Sequence, residues 1–147
     1  MLTIDEGILR VLSGVSLFSG LDRVHLIWLL SAAERVNVGA EQLFFDEGDP
    51  GDKFFVFIKG STVVEKRAGE GWAKIVDLRP GDTFGEMSII DGVPRSARVR
   101  ALGDSIALCL PQRRLESSPE VAAIIYRNIA RMQAARVREA NEKLFSK

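Results

Sequence analysis

Two charged residues, Glu86 and Arg95, stand nine positions apart in a stretch of small and apolar residues, GDTFGEMSIIDGVPRSARVRA at 81–101. A guanidinium is planar and can grip two oxygens of one phosphate at once. The hydroxyl of Ser96 and the backbone N–H groups of Ser96 and Ala97 add further donors beside it. Small side chains around Arg95 let an anion approach the backbone closely. This part of the stretch therefore predicts a site for a phosphate group.

The same stretch combines a short helical segment with a carboxylate. EMSII is long enough for one helical turn, and the first amides of a helix lack internal acceptors, so they add to an anion site. The Glu86 carboxylate would repel that phosphate, because it only accepts hydrogen bonds. It therefore needs an adjacent donor, and a sugar hydroxyl is the natural candidate. A phosphate beside a ribose hydroxyl indicates a nucleotide ligand.

Short strands are the elements that must hold these residues in place. From about Arg35, apolar residues recur at every second position in runs such as KFFVFIK, STVVEKR and SIALCL, separated by Gly, Pro and Asp turns. Many short, closely spaced strands are typical of an antiparallel barrel or a double-sheet roll. Cys109 lies in one such run, and we interpret it as a packed small hydrophobic residue. Arg98 and Arg100 alternate with apolar neighbours, which predicts that both face outward as solvated charges.

Helical spacing is found on both sides of the strands. Residues 3–12 and 21–33 repeat Leu at steps of three and four, which predicts a small N-terminal helical unit. Pro119 is well placed as the first residue of a helix that runs without another Pro or Gly to the C-terminus. The first half of that helix has an apolar face suited to packing on the barrel, formed by Val121, Ile125, Ile129 and Met132.

A second apolar stripe on the C-terminal helix repeats every seven residues and continues beyond the first. This seven-residue stripe consists of Ala123, Ala130, Val137 and Leu144. Such a repeat suits a partner helix, so we predict a homodimer through the C-terminal helix. The alternative is an amphipathic helix that folds back on its own barrel.

Composition narrows the classes of function. Charges balance at 20 basic against 20 acidic residues, so no overall field attracts nucleic acid or anionic lipid, and we predict that the chain binds neither directly. No apolar run is long enough for a membrane span and no signal peptide pattern opens the chain, which predicts a cytoplasmic location. His25, the only histidine, lies in a predicted helix, so a metal-dependent barrel enzyme lacks its ligands. We predict a binding protein with no catalytic residue, metal or cofactor.

The stretch resembles the phosphate-binding cassette of the cyclic nucleotide-binding domain family. Family members carry Phe-Gly-Glu, a few apolar residues, a short gap, and then Arg-(Ser/Thr/Ala)-Ala with Val two positions on. This chain matches that pattern at Phe84, Gly85, Glu86, Met87, Ile89, Ile90, Arg95, Ser96, Ala97 and Val99. VSLFSGLD at 15–22 and FFDEGDPGDKFFVFIKGSTVV at 44–64 resemble the family's N-terminal segment and first barrel strands. The resemblance covers nearly the whole chain.

The resemblance implies a mainly β fold, a double-sheet jelly-roll barrel with N-terminal helices and a long C-terminal helix. It implies one cyclic nucleotide-binding domain over residues 1–147. Within it we expect an N-terminal helical unit at 1–34, a barrel at 35–111 that contains the cassette at 84–97, and lid or dimerisation helices at 112–147.

The resemblance also implies roles for single residues. Glu86 would take the ribose 2′-hydroxyl, Gly85 would give close backbone contact, and Arg95 would neutralise the cyclic phosphate, with Ser96 and the Ala97 amide completing its cradle. Comparison with the helix of the catabolite activator branch adds three residues near phosphate and base. The complete predicted ligand-binding set is Phe84, Gly85, Glu86, Met87, Arg95, Ser96, Ala97, Arg136, Ala140 and Asn141.

The ligand implied by the resemblance is cAMP, with cGMP as the alternative, because many cGMP-selective members have Thr where this chain has Ser96. The implied function is a cyclic nucleotide sensor or regulatory module that binds reversibly and relays binding through the C-terminal helix. The chain could instead be the ligand-binding fragment of a larger transcription factor, channel or kinase. A degenerate domain that acts only as an interaction module, and a purely structural ion pair between Glu86 and Arg95, are further alternatives.

Overall fold

Two antiparallel sheets form the centre of the protein in the computed structural model, which describes residues 6–146. One sheet has the strand order β1-β8-β3-β6 and the other the order β2-β7-β4-β5. The eight strands found in the described part of the chain are β1 (Glu34–Val38), β2 (Leu43–Phe45), β3 (Lys53–Lys59), β4 (Thr62–Ala68), β5 (Gly71–Asp77), β6 (Thr83–Phe84), β7 (Arg98–Ala101) and β8 (Ser105–Pro111). The predicted double-sheet roll with flanking helices is confirmed.

Helices precede and follow the strands, and one short helix lies between β6 and β7. They are α1 (Glu6–Ser13), a 3-10 helix at Ser16–Phe18, α2 (Arg23–Leu30), α3 (Met87–Asp91), α4 (Gln112–Glu116) and α5 (Pro119–Phe145). The predicted N-terminal helix start at residue 3, like the ends of the predicted domain at 1–5 and 147, lies outside the described residues. The long helix begins at Pro119 as predicted, and the Ser118 hydroxyl accepts a hydrogen bond from the Val121 N–H.

Aromatic side chains fill the space between the two sheets. Phe55 of β3 and Phe84 of β6 stack with their ring centroids 4.9 Å apart. Phe44 and Phe45 of the other sheet pack against both rings. Cys109 is 7% exposed in this cluster, which confirms that it is packed as a small hydrophobic residue, and burial raises the pKa of its thiol.

The first half of α5 packs into a hydrophobic cluster that also contains residues of the β1-β8-β3-β6 sheet. Val121, Ile125 and Ile129 are buried in one cluster with side chains of β3 and β8, and Met132 packs at its edge, as the sequence predicts. The buried Asn128 amide donates to the carbonyls of Leu17 and Ser19 at 2.8 and 2.7 Å, and so ties α5 to the segment that contains the 3-10 helix.

Residues 134–145, in the second half of α5, are all exposed. The seven-residue stripe is exposed along its whole length, with Val137 at 58% and Leu144 at 73%. The stripe therefore does not pack on the protein's own barrel, which was the alternative to a partner helix.

The prediction that Arg98 and Arg100 are solvated is wrong. Their side chains are 18% and 22% exposed, and the Nε atom of each donates to the buried Glu65 carboxylate, at 2.8 and 2.7 Å. The hydrogen bonds from Arg100 and then Arg98 lower the pKa of Glu65. The Arg98 guanidinium also lies 3.4 Å from the ring centroid of Trp72. Alternation along β7 cannot reveal the carboxylate on β4, which is distant in sequence and adjacent only in the sheet.

Candidate ligand-binding site

The backbone of Arg95 is held by the loop between β2 and β3. Its N–H donates to the Asp49 carbonyl and its carbonyl accepts from the Gly48 N–H, both at 2.8 Å. Because two loops hydrogen-bond to each other here, the residue that opens the second half of the cassette has a fixed backbone although it lies outside helix and strand.

The Arg95 side chain is 6% exposed and turns toward the barrel. Its Nη1 and Nη2 atoms donate to the carbonyls of Gly85 and Lys53 at 2.7 and 2.8 Å, and its Cζ atom lies 4.1 Å from the ring centroid of Phe45. Burial lowers the pKa of this guanidinium, which the charge of Asp52 opposes. The Nε atom is buried without a hydrogen-bond partner in the part of the chain that the structure describes. Arg95 is thus a desolvated cation with no carboxylate in ion-pair contact among the described residues, which leaves its charge available to an anion.

Two glycines make room for this guanidinium. Gly85 has φ +80°, and a Cβ atom there would lie 2.7 Å from Nη1 of Arg95. A Cβ atom on Gly51 would lie 2.5 Å from the Cβ atom of Ser88 and 2.9 Å from Cζ of Arg95. A side chain at either glycine would displace the guanidinium. The site therefore depends on the absence of a side chain at both positions.

Glu86 directly precedes α3 and is only 2% exposed. Burial raises the pKa of its carboxyl group, while its own backbone N–H and the charge of Arg136 act in the opposite direction. Nη1 of Arg136, on α5, lies 3.6 Å from Oε1 of Glu86. Within the described residues, Glu86 pairs with Arg136 and no ion pair joins it to Arg95, so the alternative of a structural ion pair between Glu86 and Arg95 is wrong. The site holds two desolvated charges of opposite sign, each with capacity for an external partner.

Replacing Glu86 by Gln is expected to raise the stability of the ligand-free protein at neutral pH. The folded-state pKa of Glu86 lies above its unfolded-state value, so this carboxyl lowers stability progressively as pH rises through the raised pKa. The stability advantage of Glu86→Gln over wild type should therefore grow as pH rises from the unfolded-state pKa of Glu86 to its raised folded-state pKa. Above that pH it should stay constant, at about 1.4 kcal/mol for each unit by which the two pKa values differ.

Urea unfolding between about pH 4 and about pH 8 measures this effect. Glu139→Gln, at an exposed position of α5, is the control and should track wild type. A pH-independent difference between Glu86→Gln and wild type would contradict the argument.

The remaining predicted residues differ in their placement. Phe84 belongs to the aromatic cluster, Met87 begins α3 and is 47% exposed, Ser96 is exposed and Ala97 is half-buried. Ala140 and Asn141 are exposed on α5 beyond Arg136. The residues that the structure brings together are Gly85, Glu86, Arg95 and Arg136.

Several contact residues of the site were not found from the sequence, among them Phe45, Gly51, Lys53 and Lys66. Lys53 contributes a backbone carbonyl, Phe45 contributes the face of its ring, and Gly51 leaves room for the guanidinium of Arg95. None of these contributions requires a recognisable residue pattern. Nζ of Lys66 donates to the Ser96 carbonyl at 2.7 Å across 30 positions of sequence. The Gly-rich pattern of residues 48–51 was the one available signal.

The rest of the described structure has a groove, but no metal site and no membrane-spanning helix. A groove of about 890 Å³ beside α1 is lined by residues such as Val11, Ile58 and Leu108, and by no residue of the cassette. Within residues 6–146, no three His, Cys, Asp or Glu side chains are grouped so that they could bind a metal ion. No helix of that same range has the length and apolar character needed to cross a membrane.

Comparison with known proteins decides the family. The model of the cyclic nucleotide-binding domain family matches residues 35–118, more than half of the chain, and this range contains the whole cassette. The chain belongs to that family. The matched range begins within β1, runs through α4 and ends just before α5, so it contains the barrel strands and the residues of the cassette.

Similar members of the family are regulators. The chain is 27% identical over 140 residues to the CRP-like cAMP-activated global transcriptional regulator of Mycobacterium tuberculosis, covering 92% of this chain and 61% of that protein. It is 30% identical over 107 residues to the cAMP-dependent protein kinase regulatory subunit of Dictyostelium discoideum, covering 70% and 33%. The crystal structure of Thermus thermophilus catabolite activator protein is similar with a TM-score of 0.79 and 28% identity, covering 88% and 61%. The chain thus spans less than two thirds of each relative.

Proposed function

We propose that the protein binds cAMP reversibly at the cassette and relays binding to α5. The observation that carries this proposal is the pair of buried, opposite and mutually unpaired charges at Glu86 and Arg95. A cyclic nucleotide supplies what each lacks: a phosphate anion for the guanidinium and a ribose hydroxyl for the carboxylate. Ser96 and the Ala97 amide complete the phosphate cradle, and Gly85 allows the ligand close to the backbone.

The base is the least constrained part of the ligand. Ser96 is exposed next to Arg95 and lacks the methyl group that restricts a Thr hydroxyl to fewer rotamers. The two regulators compared above carry cAMP in their names. Both points favour cAMP, and cGMP remains the alternative. Phe84 and Met87 flank Gly85 and Glu86 in the cassette, and Ala140 and Asn141 lie further along the helix that carries Arg136, so they belong to the proposed site as secondary members.

The relay would run through Arg136. This residue reaches Glu86 from the exposed half of α5, so a ribose hydroxyl that bonds to Glu86 changes the environment of a helix residue directly. A ligand shifts a helix only if it contacts it differently in two states, and Arg136 provides such a contact. The seven-residue stripe, exposed on the same helix, would join a second copy of the chain, so that the ligand influences a dimer contact.

The proposal describes a binding protein and not an enzyme, in the cytoplasm, with a cyclic nucleotide and a second copy of the chain as partners and no cofactor. One domain over residues 1–147 would carry this function. A second candidate is the ligand-binding part of a longer regulator, favoured by the greater length of the relatives, in which transcription or a kinase would be the target.

Calorimetric titration of wild-type protein with cAMP and, in a separate run, with cGMP tests the proposal. We expect saturable binding of both, tighter for cAMP, and chromatography after titration should recover the cyclic nucleotide intact. The matched ligand control is 5′-AMP, which has the same base and an acyclic phosphate. No binding of either cyclic nucleotide would refute the proposal, a clear preference for cGMP would refute the choice of base, and conversion of cAMP to AMP in proportion to protein would refute the non-enzymatic role.

A further inference from the structure

A lysine from outside the cassette holds one of its peptide groups. Lys66 lies on β4, and its Nζ atom donates to the Ser96 carbonyl at 2.7 Å. We propose that Lys66 is a positioning residue, which orients and polarises the Ser96–Ala97 peptide so that the Ala97 N–H is ready to bind a phosphate. This inference rests on the proposed function, in which that N–H is part of the phosphate cradle.

Peptide geometry connects the lysine to the ligand. The carbonyl of Ser96 and the N–H of Ala97 belong to one planar trans peptide group, in which they point in opposite directions. A donor that fixes the carbonyl on one side therefore fixes the N–H on the other. The hydrogen bond is also charge-assisted, and donation to a carbonyl polarises its peptide, which makes the N–H a stronger donor. Lys66 would thus act on the phosphate without contacting it.

The position of Lys66 is itself well determined. The preceding residue, Glu65, pairs with Arg98 in the register of β4 and β7, and its carboxylate accepts from Arg98 and Arg100. Arg98 is in turn stacked on Trp72. These contacts lock the strand that follows Ala97 against the strand that carries Lys66. The ammonium group of Lys66 therefore reaches Ser96 from a well-fixed strand. Ser96 itself lies in neither helix nor strand, and its carbonyl is held by this hydrogen bond from β4.

Replacing Lys66 by Met tests the inference, because Met keeps an unbranched apolar side chain and removes the donor. Lys66 is exposed, so the thermal unfolding midpoint without ligand should stay close to that of wild type. We expect cAMP binding to weaken roughly tenfold. Lys66→Arg, which retains a charged donor, should recover most of the affinity.

Lys74→Met is the matched control. It makes the same change of charge on β5, where Nζ of Lys74 pairs with Asp77 at 2.9 Å and does not touch the cassette. It should bind cAMP as wild type does. Equal weakening of cAMP binding in Lys66→Met and Lys74→Met would show that any nearby positive charge attracts the ligand, and would overturn the positioning role. Unchanged affinity in Lys66→Met would overturn it as well.

A second measurement separates this inference from the proposed function. In ligand-free protein, the backbone amide resonance of Ala97 should move in Lys66→Met, stay in place in Lys74→Met and return toward its wild-type position in Lys66→Arg. This readout does not need cAMP. Wild-type protein that fails to bind cAMP would refute the proposed function, whereas an Ala97 amide that is insensitive to Lys66→Met would refute the role of Lys66.

Discussion

Replacing Arg95 by Ala is expected to weaken cAMP binding by on the order of 2 to 5 kcal/mol, roughly thirty- to several-thousand-fold. The reason is that a phosphate bound in this site exchanges water for a guanidinium that is itself desolvated. Without Arg95, the phosphate would be buried without its counter-charge, while Glu86 would stay nearby as a like charge. Calorimetric titration of wild type and Arg95→Ala with cAMP measures the loss directly.

The Arg95→Ala variant also loses contacts that do not involve the ligand, so it needs a control of the same kind. Arg114 provides one, since its Nη2 atom donates to the Trp28 carbonyl at 2.7 Å and its Cζ atom lies 4.0 Å from the Trp28 ring centroid. Arg114→Ala thus removes a similar stacked guanidinium away from the cassette. It should lose stability and keep cAMP affinity. Equal affinity of Arg95→Ala and wild type would remove the basis of the proposed function.

A glutamate in place of Val137 is expected to convert a dimer into a monomer. Val137 is exposed in the middle of the seven-residue stripe, and in a two-fold contact each chain would place the new carboxylate close to that of its partner. Like charges set against each other in an interface cost several kcal/mol, which raises the dimer dissociation constant roughly a hundredfold or more. Sedimentation velocity over a range of concentrations, with and without cAMP, measures the change.

The control for Val137→Glu is Ala135→Glu, an equal charge change on the same exposed half of α5. Successive helix residues are about 100° apart, so Ala135 lies about 200° around the helix from Val137 and faces away from the stripe. Ala135→Glu should remain dimeric, and both variants should keep the unfolding midpoint of the barrel. Wild-type protein that stays monomeric at high concentration in both conditions would refute the dimer.

The strands and helices of this protein follow from local patterns, and the sequence predicted most of them. Alternation identified β3, β4 and β8, and the Pro119 start of α5 was correct. β6 was not separated from the turn before it, because two residues are too few to show a period. Local patterns work here because strand period, turn residues and helix caps all act over a few positions.

The candidate site was predictable only in part. Glu86, Arg95 and the glycine between β6 and α3 stand in one short stretch and were found there. Three other residues contact that stretch from positions distant in sequence. Lys66 donates a hydrogen bond, Phe45 packs its ring face on Arg95, and Gly51 leaves room for the guanidinium. The error at Arg98 and Arg100 has the same cause, because their partner Glu65 is a neighbour only after β4 and β7 have paired.

The way in which α5 is attached has a mechanical consequence. Its first half is held by buried side chains as far as Ile129, Met132 lies at the edge of the packed region, and residues 134–146 are all exposed. An α-helix rises 1.5 Å per residue, so the free part from Met132 to Phe145 is a stiff arm about 20 Å long. Arg136 touches Glu86 close to the fulcrum of this arm. A tilt of about 10° there would move the far end of the helix by roughly 3.5 Å, which is about the distance between two carbon atoms in van der Waals contact. If ligand binding tilts α5, a displacement at the site too small to disturb the barrel would thus be amplified into one large enough to make or break the proposed packing between two helices.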